Sequence, residues 1–293
     1  MNPMSITDSN NKEDDNFERA AEQLEAPLTS LVGDYEENHD SGTTAPARGV
    51  FLLPNMFTTG ALFCGFYSVI AGMQGDFYAG SVAILVAMIF DGLDGRVARL
   101  TNTTSAFGAE YDSLSDMISF GIAPALLMFN WALADTGKLG WVAAFLYTAC
   151  AALRLARFIP QRDSVDAGYF VGLSSPAAAA AVTGSVWLGQ THDFPASTLP
   201  LAWLHAVLLA TLGFLMIARF PYFSFKNIRL DGRVPFVRIF LIVGVLALIA
   251  LDPPLFIWIF SILYAISGPI LHLRQNVLQM PDKEGDPRDP QDS

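Results

Sequence analysis

Hydrophobic positions along this chain gather into long blocks instead of alternating with polar ones. The blocks fall at residues 54–73, 77–98, 106–131, 139–159, 172–190, 200–219, 236–251 and 254–273. A hydrocarbon core about 30 Å thick takes roughly 20 helical residues to cross, at about 1.5 Å per residue. The pattern therefore predicts an all-α integral membrane protein, a polytopic helical bundle of about eight transmembrane helices. The seventh block is short and is parted from the eighth only by Asp252 and Pro253, so the pair is expected as a tight hairpin or a broken re-entrant helix.

Charge is concentrated outside the blocks. Residues 1–48 hold 11 acidic and 3 basic side chains and residues 275–293 hold 5 and 2, so the two tails account for the whole net charge of −11. Residues 49–274 balance 12 against 12. The expected organisation is an acidic disordered cytoplasmic tail at 1–48, a transmembrane domain at 49–274 and a polar cytoplasmic tail at 275–293. The first tail has no basic stretch leading into an apolar one, and it does not read as a signal peptide. With 52% hydrophobic and 15% charged residues, the composition is that of a membrane protein, not of a soluble domain, and nucleic acid is not an expected partner.

Basic residues set the expected orientation. Every Lys and Arg except Lys138 lies in a tail or at the second, fourth or sixth connection between blocks. The positive-inside rule then puts both termini and those connections in the cytoplasm of a multi-pass protein of the cell (inner) membrane. The second block descends toward the cytoplasmic leaflet as it reaches Asp91.

That stretch carries the chemistry. Asp91 and Asp94 are three residues apart and Asp112 and Asp116 four apart, the separations that put side chains on one helical face. An ionised Asp at the centre of a membrane helix costs roughly 2.5 to 3.5 kcal/mol, so four uncompensated ones would cost on the order of 10 kcal/mol. Facing pairs on two helices would converge as hard oxygen ligands, which suit Mg²⁺ or Mn²⁺ far better than zinc. Gly95 and Gly108 remove side chains where a bulky anion would approach the backbone, and Arg99 sits about one turn further on, placed to meet phosphate. Cys64 and Cys150 lack metal-ligand spacing, and none of the four histidines neighbours the aspartates in sequence, so no role is assigned to them.

Asp91, Asp94, Gly95, Ala98, Arg99, Gly108, Asp112 and Asp116 fit D-x2-D-G-x2-A-R-x8-G-x3-D-x3-D without departure. The chain thereby resembles the CDP-alcohol phosphatidyltransferase family. At about 5% usage per residue type, eight fixed positions coincide by chance about once in 10¹⁰ placements. The resemblance implies Asp91, Asp94 and Asp112 as metal ligands. It gives Asp116 a double role as metal neighbour and general base, a choice that spacing alone does not make. It also implies that Gly95, Arg99, Ser105 and Gly108 line the CDP-diacylglycerol nucleotide and its phosphates, joined by Asn55 and Thr58. Pro54-Asn55-Met56-Phe57-Thr58 reads equally well as ordinary helix-start chemistry.

Three further stretches are similar to signatures of the phosphatidylserine synthase branch: Arg154-Leu155-Ala156-Arg157-Phe158, Gly172 to Ala179, and Arg219 to Lys226. Ile159 stands where that branch usually shows Asn, and Ser174 where Pro is common. With these stretches the resemblance covers roughly residues 50 to 245. It implies phosphatidyl transfer from CDP-diacylglycerol to L-serine at the cytoplasmic leaflet, with Mn²⁺ or Mg²⁺, by a homodimer embedded in the lipid bilayer. Arg154, Arg157 and Lys226 are the candidates to receive the serine carboxylate, although topology alone also asks for cations at these helix ends. The alternatives are the same transfer to glycerol 3-phosphate or an inositol phosphate, and, from another class, a cation transporter whose aspartates line the path.

Overall fold

A computed structural model of the chain describes residues 49–101, 103–158, 169–195, 197–223 and 236–278. Helix α1 (Gly49–Met73) and helix α2 (Phe77–Leu100) form an antiparallel pair joined by a turn at Gln74 to Asp76, whose Asp76 carboxylate caps α2 by accepting from the Ala79 amide. Helix α3 (Ala106–Asp116) runs on through a π-helical turn (Met117–Ile122), helix α4 (Ala123–Met128), a second π-helical turn (Phe129–Leu133) and a 3₁₀ turn (Ala134–Thr136). Helices α5 (Lys138–Phe158), α6 (Ser175–Thr191), α7 (Leu199–Ile217), α8 (Phe236–Leu251) and α9 (Pro253–Leu278) complete the bundle.

Among the described residues, six stretches are long and apolar enough to cross a membrane. They are Leu53–Met73, Phe77–Leu100, Ala106–Thr136, Lys138–Arg157, Leu199–Ile217 and Pro253–Arg274. The remaining two helices, α6 with 17 residues and α8 with 16, fall short by length, so the expected count of eight spans is not established. The reason differs between them. Helix α6 is among the most buried in the bundle, packed on α2 and α9, and its neighbours supply the contacts its length does not. Helix α8 packs chiefly on α9, joined to it through Asp252 alone, whose carboxylate accepts from the Leu255 amide.

One feature departs from an all-helical pattern. Strand β1 (Tyr169–Val171) pairs antiparallel with strand β2 (Pro221–Phe223), Phe170 opposite Tyr222. Gly172 ends β1 at φ +86°, donates to the Phe220 carbonyl at 2.9 Å, and has its α-carbon so close to α7 that a Cβ would lie 2.6 Å from the Met216 oxygen. Only glycine meets both demands.

Small residues let the helices approach, as membrane packing without a hydrophobic drive between helices requires. Ala178, Ala179 and Ala181 on α6 are fully buried, and the Gly184 backbone rests against Trp258 of α9. Where α1 crosses the first π-helical turn, a Cβ on Gly65 would lie 2.7 Å from the Ser119 α-carbon. Two hydroxyls lock that crossing: Ser119 Oγ donates to the Ala61 carbonyl at 2.9 Å, and Ser115 Oγ to the Thr58 carbonyl at 3.1 Å. Helix α5 adds a donor to this turn, Tyr147 Oη to Phe120 O at 3.1 Å, whereas Thr148 Oγ1 donates to Ala144 O of its own helix at 3.0 Å.

Gly65→Ala is expected to push α1 off the π turn and destabilise the protein by about 1 to 3 kcal/mol, the usual cost of overpacking. The check is the thermal unfolding midpoint in detergent, which falls for Gly65→Ala and stays near the parent value for Gly244→Ala, where a Cβ meets open space.

Candidate active site

Helices α2 and α3 each bring two aspartates to one end of the bundle. One carboxylate oxygen from each of Asp91, Asp112 and Asp116 lies within 4.8 Å of the other two, and all three residues are half-buried. At that spacing each pair of unit charges repels by on the order of 3 to 4 kcal/mol at an effective dielectric near 20. The cluster therefore requires positive charge. Hard carboxylate oxygens, converging within about twice the bond length of a small divalent cation, fit an ion such as Mg²⁺ or Mn²⁺.

Asp94 is placed differently from the other three. It is 6% exposed, and its Oδ2 accepts from Thr58 Oγ1 at 2.9 Å. Thr58 thus grips both carboxylate helices from α1, holding Asp94 of α2 by its side chain and Ser115 of α3 by its backbone oxygen. Ser115 sits between Asp112 and Asp116, so one residue that bears no carboxylate fixes the register of one pair against the other.

Beside the carboxylates opens a cavity of about 460 Å³, in the size range of ligand sites. Its walls include Asn55 and Thr58 of α1, Asp94 and Gly95 of α2, and Ser105, Gly108 and Asp112 around the start of α3. A Cβ on Gly95 would meet nothing within 4 Å, so this glycine leaves its stretch of backbone open to a ligand. On Gly108 it would lie 3.1 Å from Ser105 Oγ and 3.5 Å from Asn55 Oδ1, so the absent side chain lets the two polar groups close that wall. Ser105 also N-caps α3, its Oγ accepting from the Gly108 amide at 3.0 Å. The connecting turn is pinned by the Thr103 amide donating to Ala98 O at 3.0 Å and by the paired hydroxyls of Thr101 and Thr103 at 2.6 Å.

The positions singled out from sequence are thus mostly brought together, with three differences. Arg99 does not line the cavity; its Nε donates to the Gly95 carbonyl at 2.8 Å, folding the side chain along α2 at the cavity's edge. Arg154 is not at a helix rim in water but buried at 8% exposure, with Nη1 donating to Ser175 Oγ at 2.7 Å. Its charge interacts with that of Asp116. Arg157 is half-buried one turn later, and Lys226 lies outside the described residues. Ser115, Ser119, Thr103 and Tyr147 escape a sequence reading, the four-residue step between Ser115 and Ser119, with Gly65 on another helix, being their only trace; Ser175 lies within the Gly172 to Ala179 stretch, but its partner Arg154 was not legible there.

A family model for CDP-alcohol phosphatidyltransferases matches residues 51–210, more than half of the chain. The chain belongs to the CDP-alcohol phosphatidyltransferase family. Its carboxylates and cavity lie within that shared segment, which ends inside α7, so β2, α8 and α9 lie beyond it. The chain is similar to the CDP-diacylglycerol-serine O-phosphatidyltransferase of Helicobacter pylori strain 26695, 35% identical over 226 residues, 77% of this chain and 92% of the relative. The protein of the same name from Methanocaldococcus jannaschii is 33% identical over 71% of this chain and 90% of its own. That from Mycobacterium leprae is 32% identical over 74% and 73%.

Removing the Thr58 hydroxyl while keeping its shape tests the grip on Asp94. Thr58→Val is expected to weaken Mn²⁺ binding, followed by the free-ion paramagnetic resonance signal without lipid, by about tenfold or more, as loss of a ligand's supporting hydrogen bond does. Thr58→Ser, which retains the donor, is expected to bind near the parent level.

Proposed function

We propose that this protein transfers the phosphatidyl group of CDP-diacylglycerol to L-serine, giving phosphatidylserine and CMP. The observation that carries the reading is the convergence of the Asp91, Asp112 and Asp116 carboxylates beside a nucleotide-sized cavity that Asp94 and Asp112 help to line. The relatives' shared activity supports serine as acceptor over glycerol 3-phosphate or an inositol phosphate.

In this reading Asp91, Asp94, Asp112 and Asp116 hold Mn²⁺ or Mg²⁺. Bound there, the cation neutralises the pyrophosphate and the charge that develops on the departing CMP oxygen. Asn55, Thr58, Gly95, Ser105 and Gly108 line the nucleotide, and Arg99 at the cavity's edge meets its phosphates. Asp116 accepts the proton of the serine hydroxyl as that oxygen forms its bond to the phosphatidyl phosphorus. The bond from phosphorus to the CMP oxygen breaks, and CMP departs with the electron pair. Direct attack by serine needs no covalent intermediate on the protein.

Serine is small, so its carboxylate must be received within a few ångströms of the hydroxyl that Asp116 addresses. Arg154 is the candidate whose charge reaches Asp116, with Arg157 and Lys226 as further cations toward the cytoplasm. The lipid substrate puts the reaction at a bilayer surface. The distribution of basic residues supports the cytoplasmic leaflet of the cell membrane, with both termini cytoplasmic. A homodimer is the proposed assembly.

The test is CMP release by purified protein in detergent with CDP-diacylglycerol and Mn²⁺ or Mg²⁺, with L-serine, glycerol 3-phosphate, an inositol phosphate or no acceptor. Serine-dependent CMP is expected, and release only with another alcohol overturns the acceptor assignment. Asp116→Asn is expected to abolish turnover, by at least a factor of about 10³, while CDP-diacylglycerol binding stays measurable; full activity in that variant removes the base assignment.

A further inference from the structure

A guanidinium carries five donors and a charge that does not titrate away, so burying one requires several oxygen partners. Ser175 accepts from Arg154 Nη1 at 2.7 Å. The charge of Arg154 is also felt by Asp116, Tyr147 and Tyr264. The Tyr147 hydroxyl is committed as a donor to the Phe120 carbonyl at 3.1 Å, which ties it to the π turn behind Asp116. Tyr264 has a different setting. It is half-buried on α9, a helix with no residue in the motif and none in the three serine-branch stretches.

Tyr264 is held from the side of β2. Tyr222 is fully buried, its Oη donates to the Ala265 carbonyl at 2.9 Å, and its ring centroid lies 5.4 Å from that of Tyr264. Burial pushes the Tyr222 hydroxyl up from its ordinary range, so it remains a donor. One turn along α9, a Cβ on Gly268 would lie 2.3 Å from the Tyr222 ring, so the glycine is what admits that ring against the helix. Strand β2 is paired with β1, and β1 leads through Gly172 to Ser175. The circuit runs by contact from Arg154 to Ser175, the β ribbon, Tyr222 and Tyr264, and closes on Arg154 through charge alone.

Half of this circuit lies outside the segment the family shares. The shared segment holds the carboxylates and the cavity, the chemistry any acceptor alcohol needs. Tyr222 and Tyr264 come from beyond it, yet Tyr222 packs on Tyr264, and Tyr264 lies within reach of the charge of Arg154. Residues so placed are free to differ with the acceptor while the phosphoryl chemistry stays the same.

We propose that Tyr264 is a positioning residue that, together with Ser175, aims the Arg154 guanidinium at the carboxylate of an amino-acid acceptor and thereby sets acceptor specificity. This inference rests on the serine reading given above. It extends that reading to a helix that neither the motif nor the shared segment reaches.

The experiment compares parent protein, Tyr264→Phe and Ser175→Ala in steady-state CMP release, varying L-serine and CDP-diacylglycerol separately, with ethanolamine, which is serine without its carboxylate, as a second acceptor. Tyr264→Phe keeps the ring on Tyr222 and removes only the hydroxyl. Both variants are expected to raise the KM for serine about tenfold with the KM for the lipid unchanged; the thermal midpoint is expected to stay at the parent value in Tyr264→Phe and to fall in Ser175→Ala, which leaves a buried Arg154 donor unpaired. The preference for serine over ethanolamine should shrink by a similar factor. An unchanged serine KM in Tyr264→Phe overturns the inference, and so does a fall in kcat alone or a matched rise in both KM values, which marks a merely structural role. A parent protein whose CMP release does not depend on serine overturns the underlying reading instead, and with it this one.

Discussion

Like charges crowded into an apolar bundle set the terms for the rest of this structure. The carboxylates of Asp91, Asp112 and Asp116 meet within 4.8 Å on half-buried residues, so the helices that carry them are pushed apart by the groups that define the site. Packing must resist that force. Thr58 supplies the restraint by holding Asp94 through its hydroxyl and α3 through its carbonyl. The Ser119 bond to Ala61 repeats the grip one turn deeper. Each interhelical hydrogen bond in a membrane is worth only about 0.6 kcal/mol on average, so the restraint depends on several acting together with the close approach that Gly65 allows.

The π-helical turn after Asp116 belongs to the same problem. Asp112 and Asp116 need regular helix to share a face, and the residues after them need another rotation to meet α5 and α1 at once. One wide turn changes the rotation without breaking the helix, and the Tyr147 hydroxyl donates to its Phe120 carbonyl. The irregularity lies next to the proposed base because that is where the two demands conflict.

The site has two sides of different character. The proposed nucleotide side is built from consecutive or helically spaced residues of α1, α2 and the start of α3, close together in sequence and inside the family's shared segment. The proposed acceptor side is assembled from α5, α6, the β ribbon and α9, around the buried Arg154. A transferase whose relatives share one donor can keep the first side fixed and vary the second.

What the sequence determined by itself was local. Helix positions followed from block length, because crossing a bilayer demands it, although the short α6 and α8 show that length alone does not decide a count of spans. The pairing of Asp91 with Asp94 and of Asp112 with Asp116 followed from the helical period, Gly95 and Gly108 were legible because the motif's spacing is preserved without a gap, and Ser105, Asn55 and Thr58 were named only through the family resemblance. The tertiary structure alone decided the contacts between helices: that Thr58 holds Asp94, that Arg99 folds along its own helix, that Arg154 is buried against Ser175 instead of facing water, and that Tyr222 packs on Tyr264. Those contacts depend on crossing angles and on which face of each helix turns inward, and many side chains far apart in the chain set these jointly. A repeat of three or four residues fixes which side chains share a face, but not which other helix that face will meet.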